Sequence, residues 1–311
     1  MTMLCDRCLH QAVIYQRYSG VHLCREHFVR DVERRIKKDT RKMVEGGDRI
    51  AVALSGGKDS TLLLYVLSEI FEKRRDIEIL AITIDEGIRG YREHTIRVAK
   101  NMTKNLGIEH IITPFRDRYD TTLDELVRTS DVGPCTLCGV LRRGALNWTA
   151  KEASADKIAT GHNLDDEAQT VLMNYLRGDV KRLFRQKRRD DFIPRIKPLK
   201  DIPEKEVALY GFIKGLDVDL HECPYATQAL RSEMRELIND YEVKHPGTKY
   251  ALVRGFEEIS NIITYPEVQL SRCKICGEPT SNDVCMACLL SANGSRENNT
   301  HKSKLRPTSQ C

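Results

Sequence analysis

Along the middle of the chain, apolar and polar positions follow two patterns that alternate, one typical of strands and one typical of helices. A continuous apolar run predicts a buried strand over Ile50–Leu54, and an apolar stretch after a short polar turn predicts a helix over Thr61–Leu67. Both patterns recur downstream. They predict strands at Glu78–Ile84, Ile108–Thr113 and Lys157–Thr160, and helices at Tyr91–Leu106, Gly139–Ser154 and Leu164–Arg177. Strands that alternate with helices predict an α/β fold with an open, mainly parallel sheet and helices on both faces.

Polar segments follow three of the predicted strands. They are Ala53–Ser60, Asp85 and Thr160–His162. Ligands of open α/β sheets bind at the carboxyl ends of the strands. We therefore expect these segments to line one ligand site.

The turn after the first of these strands reads SGGKDS over Ser55–Ser60. It is not a Walker A motif, because its glycines are adjacent and Asp59 follows Lys58. It is a glycine-rich turn at a helix N-terminus, where free backbone N–H groups and the helix dipole favour an anion. Lys58 adds a cation, and Asp59 is a ligand that Mg²⁺ prefers. The alternative is a plain helix cap at Ser55 or Asp59, although a cap does not require Gly-Gly-Lys.

Length and hydropathy bound the class of protein. The chain has 311 residues, which favours one sizeable core with smaller attachments. No apolar run approaches the roughly 18 to 20 residues that span a bilayer. The first residues, MTMLCDRC, lack the basic start and apolar stretch of a signal peptide. We therefore predict a soluble, cytoplasmic protein with no membrane partner.

The charge of the chain is informative only locally. A net charge of +5, from 50 Lys and Arg against 45 Asp and Glu, is too small to indicate a polyanionic partner. Six of the nine residues in Lys181–Arg189 are basic, and Arg30–Lys42 contains three basic pairs. Such crowding favours a polyanion, with a solvated helix face as the alternative.

Eleven cysteines point to metal rather than to disulfides in a reducing compartment. Ten of them fall into three groups, and only Cys311 stands apart. The first and last groups each have two closely spaced pairs of ligands, as a tetrahedral structural zinc site requires. They comprise Cys5, Cys8, Cys24 and His27 near the start, and Cys273, Cys276, Cys285 and Cys288 near the end. We predict two Zn²⁺ sites, with chance spacing or disulfides as the alternative.

The middle group differs because it has three thiols. Cys135 and Cys138 form a C-x2-C pair, and Cys223 follows eighty-four residues after the pair. Three thiolates leave a tetrahedral ion or a cubane cluster one ligand short, and an open position is typical of reactive metal sites. A redox dithiol, a sulfur-carrying cysteine and inert buried thiols are alternatives that the spacing leaves open.

Several separate segments together resemble one family. SGGKDS is the signature of the PP-loop ATP pyrophosphatases, which have an adenine nucleotide α-hydrolase-like fold, and TGHNLDDEAQT over Thr160–Thr170 resembles their second motif in the tRNA-modifying branch. With CTLCGV, ECPY and the two flanking zinc modules added, the chain up to about Leu290 resembles the tRNA 2-thiouridine synthetases of the TtuA and NcsA type.

The resemblance implies a reaction in two steps. ATP adenylates the 2-oxygen of a tRNA uridine with release of pyrophosphate, and sulfur then displaces AMP. Family members hold a [4Fe-4S] cluster on three cysteines, which map to Cys135, Cys138 and Cys223, and the iron without a protein ligand carries the incoming sulfide. The implied catalytic residues are these cysteines with Lys58 on the phosphates and Asp59 on Mg²⁺ or in proton transfer.

The ATP contacts that the resemblance implies come from all three polar segments. They are Ser55, Gly57, Lys58, Asp59 and Ser60 in the turn, Ala53 and Ile84 on the adenine side, and Arg142, Gly161 and Asp165 along the pocket, with His162 as a further candidate. For Asp165 and His162 a helix cap and a turn are the alternative.

The predicted organisation has four parts. Residues 1–30 form an N-terminal zinc module, 31–265 the PP-loop catalytic domain, 266–290 a C-terminal zinc knuckle, and 291–311 a disordered tail. Cys311 in the tail is a bystander. Family members are commonly homodimers, so a homodimer is expected.

The predicted partners are tRNA and a sulfur donor. Lys181–Arg189 is the expected tRNA contact, and replacing Lys187, Arg188 and Arg189 with glutamate is expected to weaken tRNA binding but not ATP binding. The expected target is the wobble uridine at tRNA position 34, with the T-loop uridine 54 as the alternative. The sulfur donor is left open between a ubiquitin-like thiocarboxylate protein, a desulfurase persulfide and sulfide. Competing functions are lysidine formation, cytidine thiolation, and a zinc-dependent RNA-binding protein for which ATP is only a structural ligand.

Overall fold

The structure is a computed structural model that describes residues 3–179, 192–218, 221–225, 230–263 and 270–291. The strands are β1 Ile14–Gln16, β2 Val21–Leu23, β3 Arg49–Ala53, β4 Glu78–Asp85, β5 Glu109–Pro114, β6 Lys157–Ala159, β7 Arg195–Ile196, β8 Ser271–Arg272 and β9 Pro279–Thr280. The helices are α1 Arg25–Met43, α2 Lys58–Phe71, α3 Arg92–Leu106, α4 Phe115–Tyr119, α5 Leu123–Thr129, α6 Pro134–Glu152, α7 Leu164–Leu176, α8 Glu204–Lys214, α9 Leu230–Lys244, α10 Thr248–Ile262 and α11 Met286–Leu290.

The central sheet has five strands in the order β5-β4-β3-β6-β7, and every neighbouring pair is parallel. The predicted fold class is therefore confirmed, and the predicted strands agree with the observed ones to within one or two residues. The strands β4 and β5 follow β3 in the chain and lie on one side of it. The chain then crosses over to form β6 and β7 on the other side of β3. A crevice is expected between β3 and β6, where the direction of building reverses.

Both faces of the sheet are covered because buried side chains alternate along the strands. Ile50 and Val52 of β3 pack into one apolar cluster with α1, α2 and α8. Ala51, between them, packs into a second cluster with α4, α5 and α6 on the opposite face. The period of two sends successive residues to opposite faces, which is why β3 reads as a continuous apolar run.

Two small antiparallel hairpins flank this domain. The N-terminal hairpin β1-β2 leads into α1, and Leu23 and Cys24 belong to the same apolar cluster as Ile50 of the sheet. The C-terminal hairpin β8-β9 lies against α6, where the Nδ2 atom of Asn147 donates to Glu278 Oε2 at 3.2 Å. The cysteine sets that were predicted to bind zinc lie in these two hairpin modules.

Helix α6 begins earlier than predicted. It starts at Pro134 rather than at Gly139, with Gly133 as its N-cap. Proline is favoured in the first helical turn because its fixed φ suits the helix and its missing N–H is not needed there. Cys135 and Cys138 therefore lie in the first turns of a helix of 19 residues.

Two predictions lie outside the described residues. They concern the basic segment Lys181–Arg189 and the tail after Ser291, including Cys311. Within the described ranges, none of the helices combines the length and the apolar content that crossing a bilayer would require.

Candidate functional site

The glycine-rich turn is closed by hydroxyl contacts. The backbone N–H of Ser55 donates to Ser60 Oγ at 3.1 Å, and the two serine Oγ atoms are 3.0 Å apart. Ser60 Oγ also donates to the carbonyl oxygen of Gly57 at 3.0 Å. The turn is thereby folded over the first residues of α2, whose initial N–H groups have no partner within the helix. An anion is the ligand that such a helix start favours.

Two glycines allow close approach of the backbone at this turn. Gly56 has φ +88°, and a Cβ atom built there would lie 2.2 Å from the carbonyl oxygen of Thr95 on α3. Gly161, after β6, would place a Cβ atom 2.9 Å from the carbonyl carbon of Asp59. The segments after β3 and β6 therefore meet at the predicted crevice, in a cradle that side chains would fill.

Lys58 lies between two carboxylates. Its Nζ atom is 2.9 Å from Asp59 Oδ2 and 2.8 Å from Glu204 Oε1 on α8. Burial lowers the pKa of Lys58, but these two carboxylates raise it above its ordinary value. Lys58 is therefore cationic at neutral pH and able to bind a phosphate group.

Asp59 is held from the second motif. The Nδ2 atom of Asn163 donates to Asp59 Oδ1 at 2.9 Å, while the Asn163 side chain caps α7 by accepting from the Asp166 N–H. Burial raises the pKa of Asp59, and the nearby Asp166 carboxylate raises it further. Two neighbouring half-buried carboxylates favour a cation, so this pair fits a Mg²⁺ site.

Asp165 is held by two groups from later in the chain. Its Oδ2 atom accepts the backbone N–H of Glu204 at 2.8 Å, and its Oδ1 atom forms a buried ion pair with Lys249 of α10. The N-cap of α7 is Asn163, so Asp165 does not cap its own helix. The Asp165 carboxylate thus supports Glu204, which in turn contacts Lys58.

His162 forms a local turn contact, since its Nδ1 atom is 2.9 Å from Thr160 Oγ1. Burial lowers the pKa of His162 to about 4, and the cations Lys197, Arg231 and Arg142 add to this shift. The imidazole is neutral at neutral pH, and the three cations that act on it outnumber the one carboxylate, Glu167. Such surroundings are typical of a site that accepts an anion.

The three predicted cluster cysteines lie near one another, but their sulfur atoms do not all fall within 4.8 Å of one another, as the ligand atoms of each terminal set do. Cys135 and Cys138 lie on α6, and Cys135 Sγ is 3.6 Å from the carbonyl oxygen of Tyr225, two residues after Cys223. Burial raises the pKa of Cys138 to about 11, and negative charge on Cys223 and Cys135 raises it further, whereas Arg142 lowers it. The other seven described cysteines, with His27, belong to the terminal sets, and all ten are free of disulfides. Three thiols with no further cysteine of the described chain suit a cluster that leaves one iron open.

The terminal sets have zinc-like geometry. Within the ranges that the structure describes, only these two sets bring at least three candidate ligand atoms within 4.8 Å of one another. Near the start, the Sγ atoms of Cys8 and Cys24 are 3.6 Å apart, and Cys24 Sγ is 3.3 Å from His27 Nδ1. Burial raises the pKa of Cys5, but backbone and thiol hydrogen bonds lower it more, to about 6. These donor sets fit structural Zn²⁺.

Five residues contribute to the site that the sequence did not indicate. They are Glu86, Arg92, Asn163, Glu204 and Arg231. Arg231 of α9 donates to Asp166 Oδ1 and to Thr170 Oγ1, at 3.1 Å in each case. For the four charged residues, the sequence does not indicate which of them the fold brings to the site. Asn163 has a sequence signal, because an asparagine before an apolar run is a typical helix cap.

Known proteins resemble this chain over nearly its full length. The tRNA 2-thiolation protein NcsA of Haloferax volcanii is 39% identical over 314 residues, which cover 93% of this chain and 98% of that protein. The tRNA-5-methyluridine(54) 2-sulfurtransferase of Pyrococcus horikoshii is 36% identical over 295 residues, or 92% of this chain and 93% of that protein. The structure of the U34-tRNA thiolase NcsA from Methanococcus maripaludis with its [4Fe-4S] cluster superimposes with a TM-score of 0.86 at 38% identity, covering 98% of this chain and all of that one.

A glycine-rich turn that leads into a helix at the switch point of a parallel sheet defines a nucleotide-binding protein of the PP-loop class. The PP-loop domain model matches residues 26–240, and the model of the N-terminal LIM domain of the 2-thiouridine synthetase TtuA matches residues 4–29. The chain therefore belongs to the NcsA and TtuA family of tRNA 2-thiolation enzymes.

Proposed function

We propose that this protein is an ATP-dependent tRNA uridine 2-thiolase that acts on the wobble uridine, tRNA position 34. One observation carries the proposal: Arg142 lies near the three thiols and near the segment after β6 that meets the glycine-rich turn. It follows Cys138 by one helical turn, its charge acts on Cys138 and Cys223, and its charge also acts on His162, next to Gly161. Activation of a base by ATP and delivery of sulfur to it both require the two sites to lie close together.

In the first step, the 2-oxygen of uracil attacks the α-phosphorus of ATP and pyrophosphate leaves. The charge that grows on the phosphate oxygens is stabilised best by donors that are already in place. Lys58 exchanges a carboxylate partner for a phosphate oxygen, the start of α2 presents backbone N–H groups, and Ser55 and Ser60 add hydroxyls. Asp59, with Asp166 nearby, would hold Mg²⁺, which when bound neutralises phosphate charge.

In the second step, a sulfur nucleophile attacks C2 of the activated uracil and AMP leaves. Cys135, Cys138 and Cys223 would hold a [4Fe-4S] cluster, which when bound supplies an iron with an open position for sulfide. Binding requires thiolates, whereas burial keeps the Cys138 and Cys223 pKa values high, so cluster insertion releases protons. Arg142 offsets the negative charge of the thiolates.

The choice of position 34 is supported by the Methanococcus maripaludis U34-tRNA thiolase, which matches all but 2% of this chain. Uridine 54 is the second candidate, because the Pyrococcus horikoshii relative is named for that position and is only slightly less identical, at 36% against 38%. A tRNA substitution at each of the two positions distinguishes these targets.

The test uses protein purified without oxygen, ATP, sulfide as donor, and three tRNA transcripts. The transcripts are unmodified, carry cytidine in place of uridine 34, or carry cytidine in place of uridine 54. We expect pyrophosphate release to depend on tRNA, and 2-thiouridine to disappear only when position 34 is changed. Loss only when position 54 is changed would favour the second candidate. Pyrophosphate release that ignores tRNA would contradict both.

The three-thiol assignment has its own test. Cys135→Ala, Cys138→Ala and Cys223→Ala are each expected to lose cluster iron and thiolation. A variant that keeps full iron content together with full thiolation would overturn the assignment. Cys311→Ala is the matched control, because Cys311 is predicted to be a bystander in the tail.

A further inference from the structure

Glu86 is a buried carboxylate that the reaction described above does not use. It follows Asp85, the last residue of β4, and its side chain is 4% exposed. Its carbonyl oxygen accepts the backbone N–H of Leu123 at 2.7 Å, which ties this loop to α5. An ionised side chain at such depth is stable only when cations accompany it.

Two arginines from different helices accompany Glu86. Its Oε2 atom is 2.8 Å from the Nε atom of Arg92 on α3, and its Oε1 atom is 3.6 Å from the Nη1 atom of Arg142 on α6. One arginine would neutralise the carboxylate. The second leaves a net positive charge on this group of three side chains.

Arg92 is fixed on the side of the glycine-rich turn. It donates to the carbonyl oxygens of Ser55 at 3.1 Å and Ile84 at 2.5 Å, and to Thr95 Oγ1 at 2.8 Å. Its side chain is only 6% exposed. With this many partners Arg92 has one available position, so it fixes the carboxylate of Glu86 as well.

Arg142 differs from Arg92 because its side chain is 53% exposed. Among the described residues, Glu86 is its carboxylate partner. Cys138 lies one helical turn before it, and the positive charge of Arg142 acts on Cys138, Cys223 and His162. A long exposed side chain loses several rotatable bonds of freedom when it is held, so an anchor is needed to define its position.

We propose that Glu86 is a positioning residue that holds the Arg142 guanidinium between the glycine-rich turn and the three thiols. The contacts form a continuous connection from Ser55 through Arg92 and Glu86 to Arg142. Glu86 touches neither ATP nor the thiols in this role. It sets where the shared cation stands when ATP binds and when pyrophosphate departs. This inference rests on the proposed function, because it deepens the role of that same site.

The test is a double-mutant cycle with Glu86→Gln, Arg142→Gln and the double variant. The first readout is the dissociation constant for ATP in protein without cluster, and the second is the kcat and KM of tRNA-dependent pyrophosphate release. Each single variant is expected either to raise the dissociation constant for ATP or to lower kcat by about ten- to a hundredfold, since a charge-assisted contact is lost or misplaced. The double variant is expected to match Arg142→Gln to within about twofold, because the two residues act as a unit.

Controls separate positioning from a loss of structure. Glu125→Gln, which breaks the more exposed ion pair of Glu125 with Arg116 on the same side of the sheet, is expected to behave as the wild type. Glu86→Asp keeps the buried charge beside Arg92 but withdraws it from Arg142, so it tests the proposal even if Glu86→Gln does not fold. Melting temperature is recorded for each variant.

The outcomes distinguish this inference from the proposed function. Additive losses in the double variant, or wild-type kinetics in both Glu86 variants, would overturn the role of Glu86 while tRNA-dependent pyrophosphate release stood. A wild-type protein that binds ATP but releases no pyrophosphate with tRNA would overturn the proposed function. In that case the ATP dissociation constants alone would still confirm or refute the coupling between Glu86 and Arg142.

Discussion

Lys58 is held by carboxylates at the position where the proposed reaction requires phosphate oxygens. Asp59 and Glu204 each lie within 2.9 Å of its Nζ atom, and the Glu204 carboxylate is kept ionised by Lys58, which outweighs the effect of burial on its pKa. ATP must therefore compete with Glu204 for this cation. Both carboxylates hold the Lys58 ammonium group in place, which prepares the site at the expense of some affinity for ATP.

Replacing Lys58 with glutamine is expected to slow tRNA-dependent pyrophosphate release by about 10² to 10³, because one cation for the transition-state charge is lost. Steady-state kinetics with saturating tRNA measure this effect. The control is Lys73→Gln, which removes an exposed lysine just beyond the end of α2. A loss below about tenfold for Lys58→Gln would show that the cation does not act in the transition state.

His110 provides a prediction about acid stability. Its Nε2 atom is 2.7 Å from Thr83 Oγ1, its Nδ1 atom is 3.2 Å from Thr103 Oγ1, and burial lowers its pKa to about 4. An unfolded histidine has a pKa of about 6.5, so the unfolded chain binds the proton more readily and stability falls as the pH drops from about 6.5 to about 4.

His110→Gln removes this titration. Between about pH 7 and pH 5, the wild type is expected to lose about 1 kcal/mol more of unfolding free energy than the variant, a value reduced for the partial exposure of the ring. Urea unfolding at both pH values measures the difference, and the other titrating groups cancel between the two proteins. Equal losses in the two proteins would contradict a lowered pKa for His110.

At the scale of the elements, the sequence pattern predicts those strands and helix starts that depend on neighbouring residues in the chain. The apolar runs identified β3, β4, β5 and β6, because buried strands need them, and the glycine-rich turn identified the start of α2. Helix α6 starts five residues before the predicted Gly139. Pro134 at the first helical position is the sequence signal that favours this earlier start.

The shape of the glycine-rich turn leads to a prediction about two adjacent glycines. Gly56→Ala places a methyl group against the Thr95 carbonyl at φ +88°, so we expect a loss of about 2 kcal/mol or more in unfolding free energy and weaker ATP binding. Gly57 is the matched control, because its φ is −80° and a Cβ atom there would be 3.6 Å from Ser55 Oγ, an ordinary contact.

Gly57→Ala is expected to change stability by no more than about 0.5 kcal/mol. Chemical denaturation measures both variants, and isothermal titration with ATP measures the site. If Gly56→Ala were as stable as Gly57→Ala, the close packing of the turn against α3 would be refuted.

Contacts between distant segments account for what the sequence did not predict. Glu204 reaches Lys58 across 146 positions and Asn163 reaches Asp59 across 104 positions. A surface glutamate and one that completes a site look the same in sequence, since the fold alone decides their neighbours. A position inside a motif likewise does not fix a residue's partners, since Asp165 forms a buried ion pair with Lys249 of α10.

At the scale of the whole molecule, the N-terminal hairpin module is joined to the domain through its core. Cys5, Leu23 and Cys24 belong to the apolar cluster that includes Ile50 of the sheet. Glu206 of α8 accepts hydrogen bonds from Gln16 Nε2 at 3.0 Å and from the Tyr18 hydroxyl at 2.7 Å. Shared burial indicates that this module and the sheet depend on each other for stability.

That shared core predicts how the molecule responds to the loss of one zinc ion. Cys8→Ser removes a ligand from the N-terminal set, so the zinc content is expected to fall from about two ions to about one per chain. Because the module and the sheet share buried surface, the whole chain is expected to melt at a lower temperature in one transition, by about 2 to 4 °C for each kcal/mol lost. Calorimetry together with metal analysis measures both, with Cys311→Ser as the control that keeps its zinc and its melting temperature. Two separate transitions, with the sheet melting at the wild-type temperature, would mean that the module folds independently of the core it contacts.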